Sequence, residues 1–489
     1  MQDEIREIGS KSAVVFVGRI LGKTLELLSI VIIGYFLGAS TYGSYVFMIS
    51  FLAFFTIIPK FGMDTGIVSF LSRGHIDQSD KKSLATFSLV LSSLLSLFFI
   101  LLLYLFKDFF YKIFVPTSVD MNLFVVLIPS IYFFTLNQII VSILRGYKKV
   151  VEKVILVDLV SPIIKLCSIA IIVLVFKISD YSVLVFSYYL SSGIVFILLV
   201  LRLKHLDLIR LGVKNSINKK LIQYSMPLLF ANSIMIINTN IDKYMIGVLL
   251  TNADVGVYKL AMQFSLILSL ALVSANSIMS PIISSLYHDN KLVKLKHIYK
   301  TITKWIVVFN LTVFGGMVVF ASDLVALLGA EWTLASKVLI IACLGQIVNS
   351  FVGAVTIINN MTGNQKKVLI SSSITLLINI ILNIILIPMF GIIGAAFATS
   401  ISIAFRNIMN FIFMYKKFKI HPYDKSYFKI ITIITLATAF TFLMYQITNI
   451  DLLLKYILFG SLYLFVVGLF MFKFALTKEE IEYIKNIRK

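Results

Sequence analysis

Long apolar segments are the feature of this sequence that most restricts how it can fold. They recur along the whole chain of 489 residues, and each has about the 20 residues that a helix needs to cross a bilayer. Hydrophobic residues make up 59% of the chain and charged residues 14%, which leaves too little polar surface to cover a soluble protein. The segments are too long for the short alternating strands of a membrane barrel. The sequence therefore predicts an all-α integral membrane protein.

The apolar segments predict about fourteen transmembrane helices. The first is preceded by charges of both signs and is too long for a signal peptide, so we expect it to be retained. The predicted spans are 13–37, 44–70, 84–106, 121–144, 154–176, 183–201, 222–249, 256–283, 305–328, 336–360, 368–388, 391–415, 429–447 and 453–474.

Lysine and arginine are distributed unequally between the two sides of this arrangement. Of 44 such residues, 32 lie in the termini and the alternate connections on their side, 5 lie in or beside the opposite connections, and 7 lie in spans. Because positive residues favour the cytoplasmic side, both termini should be cytoplasmic in a multi-pass protein of the cell membrane. Topology and attraction to anionic membrane lipids explain the net charge of +21, and no nucleic-acid partner is expected.

Two sequence echoes divide the chain into similar halves. Tyr42-Gly43-Ser44-Tyr45 shares a G-x-Y core with Val255-Gly256-Val257-Tyr258, and 146–149 resembles 363–367. Six spans in each half give both halves the same orientation, related by a pseudo-twofold axis along the membrane normal, with a binding site between them and alternating access. The predicted organisation is an N-terminal six-helix bundle (1–203), a cytoplasmic linker (204–220), a C-terminal six-helix bundle (221–415), and two additional helices with a cytoplasmic tail (416–489).

Motifs of an enzyme or of a cofactor site are not recognisable in the sequence. There is no G-x-x-x-x-G-K-[ST] phosphate loop, and the outer connections are too short to hold the paired carboxylates of a membrane transferase or ligase. All five histidines lie in polar connections. Cys167 and Cys343 lie in apolar spans, where we expect buried thiols that act as small hydrophobes. We expect neither enzymatic activity, nor a cofactor, nor a metal site.

Charged residues inside the spans are the candidate functional residues. A charge in hydrocarbon costs about 2.5–3.5 kcal/mol on the insertion scale, so it should face a bundle interior or an aqueous cavity. Arg19, Lys23 and Glu26 follow an i, i+4, i+7 spacing that places them on one helix face. The alternative for this group is snorkelling to the interface with a local ion pair. Asp158 and Lys165 are seven residues apart and also share a face.

Asp242 and Lys243 interrupt the seventh span as neighbours. Their side chains diverge by about 100° on a helix, so we expect one to form a structural pair and the other to line the site. Basic residues in the spans outnumber acidic ones by about three, which suits a phosphate or pyrophosphate group. The candidate substrate-binding cations are Arg19, Lys23, Lys165, Lys243, Lys259 and Arg406, and the carboxylates that are candidates for proton or sodium coupling are Glu26, Asp158 and Asp242.

Glycine and proline mark further positions in the spans. The pairs Gly18/Gly22, Gly34/Gly38 and Gly62/Gly66 indicate either close helix contacts or chance among 24 glycines. Pro162 lies in the fifth span, where it predicts a static kink or a hinge.

The sequence resembles the Wzx-type O-antigen or capsule flippases of the multidrug/oligosaccharidyl-lipid/polysaccharide exporter superfamily. The resemblance covers nearly the whole chain in order. It rests on Gly18-Arg19-Ile20-Leu21-Gly22, Leu37-Gly38 with Tyr42-Gly43-Ser44-Tyr45, Phe61-Gly62-Met63-Asp64, Leu144-Arg145-Gly146, Ser225-Met226-Pro227-Leu228, Asp242-Lys243 with Gly256-Val257-Tyr258, and Gly391-Ile392-Ile393-Gly394-Ala395-Ala396.

This resemblance implies export of an undecaprenyl-pyrophosphate-linked oligosaccharide repeat unit from the inner to the outer leaflet through a cationic central cavity, with a polysaccharide polymerase as a partner. It also implies that the first and seventh helices line the cavity, which favours Arg19, Lys23 and Lys243 as phosphate partners. The alternatives are a multidrug/cation antiporter of the same fold, for which a cationic interior is unsuitable, and a membrane-embedded polysaccharide polymerase or ligase, which would need a long outer loop.

Overall fold

Helices form the regular secondary structure of the residues that the computed structural model describes, which are 2–72, 76–209, 215–448 and 452–470. The predicted tail from 471 onward and residues 210–214 of the predicted linker lie outside these ranges. The α-helices are α1 Gln2–Phe54, α2 Ile57–Lys60, α3 Met63–Leu71, α4 Gln78–Leu105, α5 Lys107–Phe114, α6 Met121–Leu127, α7 Ser130–Gly146, α8 Val150–Lys153, α9 Ser161–Leu174, α10 Tyr181–His205, α11 Asn215–Leu249, α12 Asn252–Ser265, α13 Ile267–His288, α14 Leu292–Ala326, α15 Leu334–Val352, α16 Val355–Met361, α17 Gln365–Phe390, α18 Ile392–Phe418, α19 Lys425–Ile447 and α20 Leu452–Phe470. A π-helical segment, Val154–Val160, lies between α8 and α9, and a 3-10 turn, Ala330–Trp332, precedes α15.

The described helices confirm the all-α membrane class. Eleven of them are long and apolar enough to cross a membrane, or twelve if the bent pair Asn252–Ser265 and Ile267–Asn276 is one span. A shorter apolar helix occupies Leu454–Leu469. Each predicted span overlaps described helix, whereas the number fourteen stays a prediction.

The first two predicted spans share α1, which bends at a glycine. Gly38 has φ 77° and ψ 168°, a conformation that glycine adopts without the steric cost of a Cβ. The second predicted span, 44–70, is not one continuous helix. α1 ends at Phe54, and the chain continues through α2 and α3 around Pro59 and Gly62, which has φ 69°. Proline and a left-handed residue both interrupt helical hydrogen bonding, which explains the difference.

Contacts between residues divide the chain into two units. The first contains residues 1–260 and 379–395, and the second contains 261–378 and 396–489. α11 and most of α12 therefore group with the N-terminal helices, together with the end of α17. The bundle boundaries expected from the sequence echoes stay a prediction.

The hydrophobic core of the first unit is formed by α3, α4, α7 and α10. Met63, Ile67, Leu84, Ile143 and Leu199 are fully buried there. Burying branched and unbranched aliphatic side chains from four helices stabilises the unit through dispersion contacts, which operate in lipid as they do in water.

The two copies of the G-x-Y echo pack against each other within this unit. A Cβ atom at Gly43 in α1 would overlap the carbonyl oxygen of Asn252 and the backbone nitrogen of Gly256 in α12. A Cβ atom at Gly256 would in turn meet the carbonyl oxygen of Ala39. The glycines of the echo thus permit a backbone-to-backbone crossing of α1 and α12.

The core of the second unit contains Met279, Ile283, Tyr299, Ile358 and Met414. The Tyr299 hydroxyl donates a hydrogen bond of 2.7 Å to the carbonyl oxygen of Val352, so this large buried side chain leaves its polar atom satisfied.

The two cysteines differ in their environment. Cys343 is buried, as expected, whereas Cys167 in α9 is exposed, so the expectation of a buried thiol there is wrong. An apolar segment fixes which residues are in a span, but the side of the helix that meets other helices depends on packing.

Candidate functional site

Three charged residues of α1, which are Arg19, Lys23 and Glu26, take part in ion pairs. The Lys23 ammonium forms an ion pair of 2.6 Å with Glu26, one turn away. The Arg19 guanidinium Nε lies 4.0 Å from Asp158 Oδ2 in the π-helical segment. The periodicity that placed these residues on one face therefore also directs them toward the fifth predicted span.

Glu26 is the carboxylate around which three lysines gather. Lys23, Lys259 and Lys165, in that order, attract its negative charge. These lysines come from α1, α12 and α9 respectively, so three helices of the first unit contribute to one charged cluster. The four charges sum to about +2 at neutral pH. The sequence predicts an excess of positive charge for a site that receives an anion, and that role stays a prediction.

Lys165 and Lys259 are surrounded by protein and yet keep part of their surface accessible. The Lys165 ammonium lies 5.8 Å from the centre of the Tyr45 ring, within the range of a cation–π attraction. An aromatic face compensates a cation only in part, so such an ammonium keeps hydrogen-bond donors for a further partner.

Asp158 has a partner that the sequence analysis placed in a cytoplasmic connection. The Lys153 ammonium donates to both carboxylate oxygens of Asp158, each at 2.6 Å. The two residues are five positions apart, a separation that a regular α-helix does not bring together but that the π-helical segment does. No sequence signal other than Pro162, just after the segment, indicated this irregularity.

Asp242 is buried and accepts hydrogen bonds from neutral side chains of two other helices, α12 and α17. Tyr258 Oη donates to its Oδ2 at 3.0 Å, and Asn383 Nδ2 donates to its Oδ1 at 2.8 Å. Asn383 Nδ2 also contacts the side-chain oxygen of Asn379 at 3.2 Å. Tyr258 belongs to the G-x-Y echo, and Asn379 and Asn383 are four apart in an apolar run. These spacings are the signals by which the sequence could have revealed the partners of Asp242.

Lys243 points away from Asp242, as adjacent residues on a helix must. Its ammonium donates to Asn240 Oδ1 at 2.9 Å. The charge of Lys259 repels the Lys243 ammonium, and the carboxylate of Asp242 attracts it. Lys259 therefore acts on both Lys243 and Glu26. The structure thus brings Lys23, Lys165, Lys243 and Lys259 into one electrostatic group.

The other charges in spans belong to the second unit or have local partners. Arg406 lies in the part of α18 that belongs to the second unit. Lys60 is 6% exposed and lies 4.6 Å from the centre of the Phe134 ring, while Asp64 accepts a 2.6 Å hydrogen bond from Asn232. Among the described residues, no group of three or more His, Cys, Asp or Glu is placed to hold a metal ion.

The comparisons with known proteins identify the family. A family model described as "Polysaccharide biosynthesis protein" matches residues 32–337. The chain belongs to this polysaccharide biosynthesis protein family. The matched range includes Asp158, Lys165, Asp242, Lys243 and Lys259, so most of the charged group lies within the family region.

Two relatives of this family member come from Haloferax volcanii. The chain is 30% identical over 173 residues to a protein named probable low-salt glycan biosynthesis flippase Agl15, and 29% identical over 175 residues to one named probable flippase AglR. In both cases the match covers 35% of this chain and 36% of the relative. The chain therefore matches about a third of the length of these relatives.

Solved structures show the fold of the family member over almost its full length. The lipid II flippase MurJ in an inward closed conformation aligns with a TM-score of 0.73 and 20% identity, covering 95% of this chain and 99% of MurJ. A multidrug resistance MATE transporter of the MOP superfamily in an inward-facing conformation aligns with a TM-score of 0.67 and 14% identity, covering 83% and 98%. The family model thus confirms a polysaccharide biosynthesis family, and the solved structures confirm the expected fold. These relatives are named as flippases and transporters rather than enzymes.

Proposed function

We propose that this protein is a flippase that moves a lipid-linked oligosaccharide, attached through an anionic phosphate or pyrophosphate group, across the membrane for polysaccharide biosynthesis. The observation that carries the proposal is the 2.6 Å ion pair of Lys23 with Glu26, together with Lys165 and Lys259, which attract the same carboxylate from two other helices. Charged residues within membrane spans are costly, so the ones that occur there mostly serve a function. Lysine and arginine donate charge-assisted hydrogen bonds to phosphate oxygens.

The names of the relatives support this cargo. Agl15 is named as a flippase of glycan biosynthesis and MurJ as a flippase of lipid II. The family description also refers to polysaccharide biosynthesis. The same proposal includes undecaprenyl pyrophosphate as the carrier, transfer from the inner to the outer leaflet by alternating access, and association with a polymerase. These three parts rest on the Wzx-type resemblance.

The decisive experiment is flipping of an undecaprenyl-pyrophosphate-linked oligosaccharide in reconstituted liposomes. Arg19→Ala and Lys243→Ala should each lower the rate by about tenfold or more, since a charge-assisted hydrogen bond contributes about 1.5–3 kcal/mol. Arg19→Lys should be milder because it keeps the charge. Lys177→Ala is the control, because it removes one positive charge from an exposed connection. Normal transport by both alanine variants would refute the assignment of the phosphate site.

Coupling to an ion is proposed at Asp242. Its carboxylate and the side-chain oxygens of Asn379 and Asn383 are oxygen ligands of the kind that hard cations such as sodium prefer. Asn383 Oδ1 is buried and has no hydrogen-bond partner among the described residues. We therefore propose that Asp242 exchanges a sodium ion or a proton during transport.

Imposed sodium and proton gradients test the coupling in the same liposomes. One gradient should accelerate flipping by the wild type, and Asp242→Asn should abolish that response, because an ion shifts a conformational equilibrium only through unequal affinity for the two states. Asp64→Asn is the matched control, a carboxylate that also accepts a hydrogen bond from an asparagine. A wild type insensitive to both gradients would be a facilitator driven by removal of its product.

The proposed orientation, with both termini in the cytoplasm, is testable by labelling. Cysteines at Ser179 and Thr251, which are exposed, should react with an impermeant maleimide from outside the cell. Cysteines at Lys149 and Asn290, also exposed, should react only after permeabilisation. Asn252 is unsuitable for this purpose because it is buried and donates a hydrogen bond to Ser118. The reverse labelling pattern would overturn the orientation.

A further inference from the structure

The π-helical segment Val154–Val160 lies directly against the part of α1 that carries Gly18, Arg19 and Gly22. A Cβ atom at Gly18 would overlap the Val154 side chain, and one at Gly22 would overlap the carbonyl oxygen of Asp158. Gly18 and Gly22 are four apart, and so are Val154 and Asp158. The glycine pair thus provides the close helix contact that its spacing indicated, and Arg19 lies within this contact.

Pro162 explains why the helix widens at this place. In an α-helix the backbone nitrogen of residue 162 would donate to the carbonyl oxygen of residue 158, but proline has no N–H and its ring clashes with that carbonyl. A π-helical turn relieves the clash, and such turns occur frequently at functional sites. The carbonyl oxygen of Asp158 instead faces Gly22 of α1.

The π-helical geometry determines which cation Asp158 binds. In an α-helix, residues five apart point about 140° away from each other, so Lys153 would not reach Asp158. Here Lys153 holds both oxygens of Asp158 at 2.6 Å, whereas the nearest Arg19 nitrogen stays at 4.0 Å. The neighbouring Glu152 does not compete for Lys153, because it accepts a 3.1 Å hydrogen bond from Arg202 of α10.

Arg19 would otherwise be the preferred partner of this carboxylate. A guanidinium forms two parallel hydrogen bonds with a carboxylate, and the same fork matches a phosphate. An Arg19 that is clamped by Asp158 could not present that fork to an anion. Because Lys153 already occupies Asp158, the Arg19 side chain, about a third of which is exposed, keeps its donors.

We propose that Lys153 is a positioning residue for anion binding: by occupying Asp158 across the π-helical turn, it leaves Arg19 available to the phosphate group of the substrate. The inference rests on the proposed function, since it assumes that Arg19 binds an anion. Lys153 itself does not contact the anion. It acts through Asp158, so the anion affinities of the Lys153 variant, the Asp158 variant and the double variant should differ in a way that direct contact would not produce.

The test is binding of inorganic pyrophosphate to the purified full-length protein, measured by calorimetry. Lys153→Gln should weaken binding by about fivefold or more, because Asp158 then captures Arg19. Asp158→Asn should bind as the wild type does or more tightly. The double variant Lys153→Gln/Asp158→Asn should regain wild-type affinity, because the competitor for Arg19 is neutral. Lys149→Gln, an exposed lysine of the same connection, controls for the lost positive charge.

The outcomes separate this inference from the proposed function. Weak binding by both Lys153→Gln and the double variant would mean that Lys153 contacts the anion or maintains the fold. Wild-type binding by Lys153→Gln would mean that Lys153 has no role in anion binding. Each of these results overturns the inference and leaves the flippase proposal in place. If Arg19→Ala has no effect on pyrophosphate binding, or if the wild type does not bind pyrophosphate, the anion site itself is refuted and the inference with it.

Discussion

The interiors of the two units are polar in different ways. In the first unit the polar interior is built largely from charges, with Lys23, Lys165 and Lys259 around Glu26. In the second unit, neutral amides and hydroxyls form a buried network. The side-chain oxygen of Asn410 accepts a 2.8 Å hydrogen bond from the Ser371 hydroxyl, and its side-chain nitrogen donates to the Thr356 hydroxyl at 3.2 Å. The backbone carbonyl oxygen of Asn410 accepts a 2.8 Å hydrogen bond from Asn359. Arg406 is the candidate site residue found in that unit.

The difference shows how a membrane protein divides stability and function between its parts. Each donor of a neutral network is directed at one acceptor, so a satisfied network favours a single arrangement. Charges enclosed by protein are costly. Their partners can be exchanged, because one carboxylate can attract several cations, as Glu26 does. A binding site for an anion needs such exchangeable partners. A supporting framework needs the fixed ones.

Among the variants that test this difference between the units, we expect the largest effect, a loss of flipping, at Lys165. Lys165→Met should lower flipping in liposomes by about tenfold or more, because a cation of the anion site is lost. The thermal unfolding temperature in detergent should stay the same or rise, since the variant removes an enclosed charge while Lys23 continues to pair with Glu26 at 2.6 Å. A variant that transports normally but unfolds at a lower temperature would make Lys165 structural and would erase the contrast.

The reverse result is expected at Asn410. Asn410→Leu should lower the free energy of unfolding by about 1–3 kcal/mol, because the buried Ser371 hydroxyl and the half-buried Thr356 hydroxyl each lose a partner. The flipping rate per folded molecule should change little. Ser373→Ala is the matched control on α17, since its hydroxyl donates within its own helix, to Leu369. Loss of flipping in a fully stable Asn410→Leu protein would place function in the neutral network as well.

The smallest effect concerns an ion pair in the second unit, between Lys300 of α14 and Asp424 at the start of α19, with a separation of 2.8 Å. Burial alone would raise the pKa of Asp424, but hydrogen bonds from Lys300 and Ser426 hold it below its usual value. The pair therefore stabilises the protein above about pH 4, the ordinary pKa of aspartate, and the stabilisation is lost as the pH falls through the lowered pKa.

Asp424→Asn should accordingly unfold at a slightly lower temperature than the wild type at pH 7, by an amount equivalent to less than about 1 kcal/mol. The two proteins should converge when the pH is lowered below the pKa of Asp424. A difference that persists in acid would assign the effect to helix capping, since Asp424 Oδ1 also accepts a 2.8 Å hydrogen bond from the backbone nitrogen of Ser426.

The sequence by itself determined the helical membrane class and which charged residues interrupt its apolar segments. These features follow from local rules: an apolar run long enough for a bilayer must be helical, and a period of 3.6 residues fixes which side chains share a face. The Lys23–Glu26 ion pair is of this kind, because it joins successive turns of one helix.

Tertiary structure decided the partners between helices. Asp242 binds Asn383, which is 141 positions away, and Asp158 binds Lys153 through a π-helical turn that widens ahead of Pro162. Periodicity gives a direction for each side chain but not the neighbour found there, because the neighbour depends on where helices cross and on how closely glycines such as Gly22 let them approach. The sequence thus determined which charges enter the interior, and packing decided how they are shared.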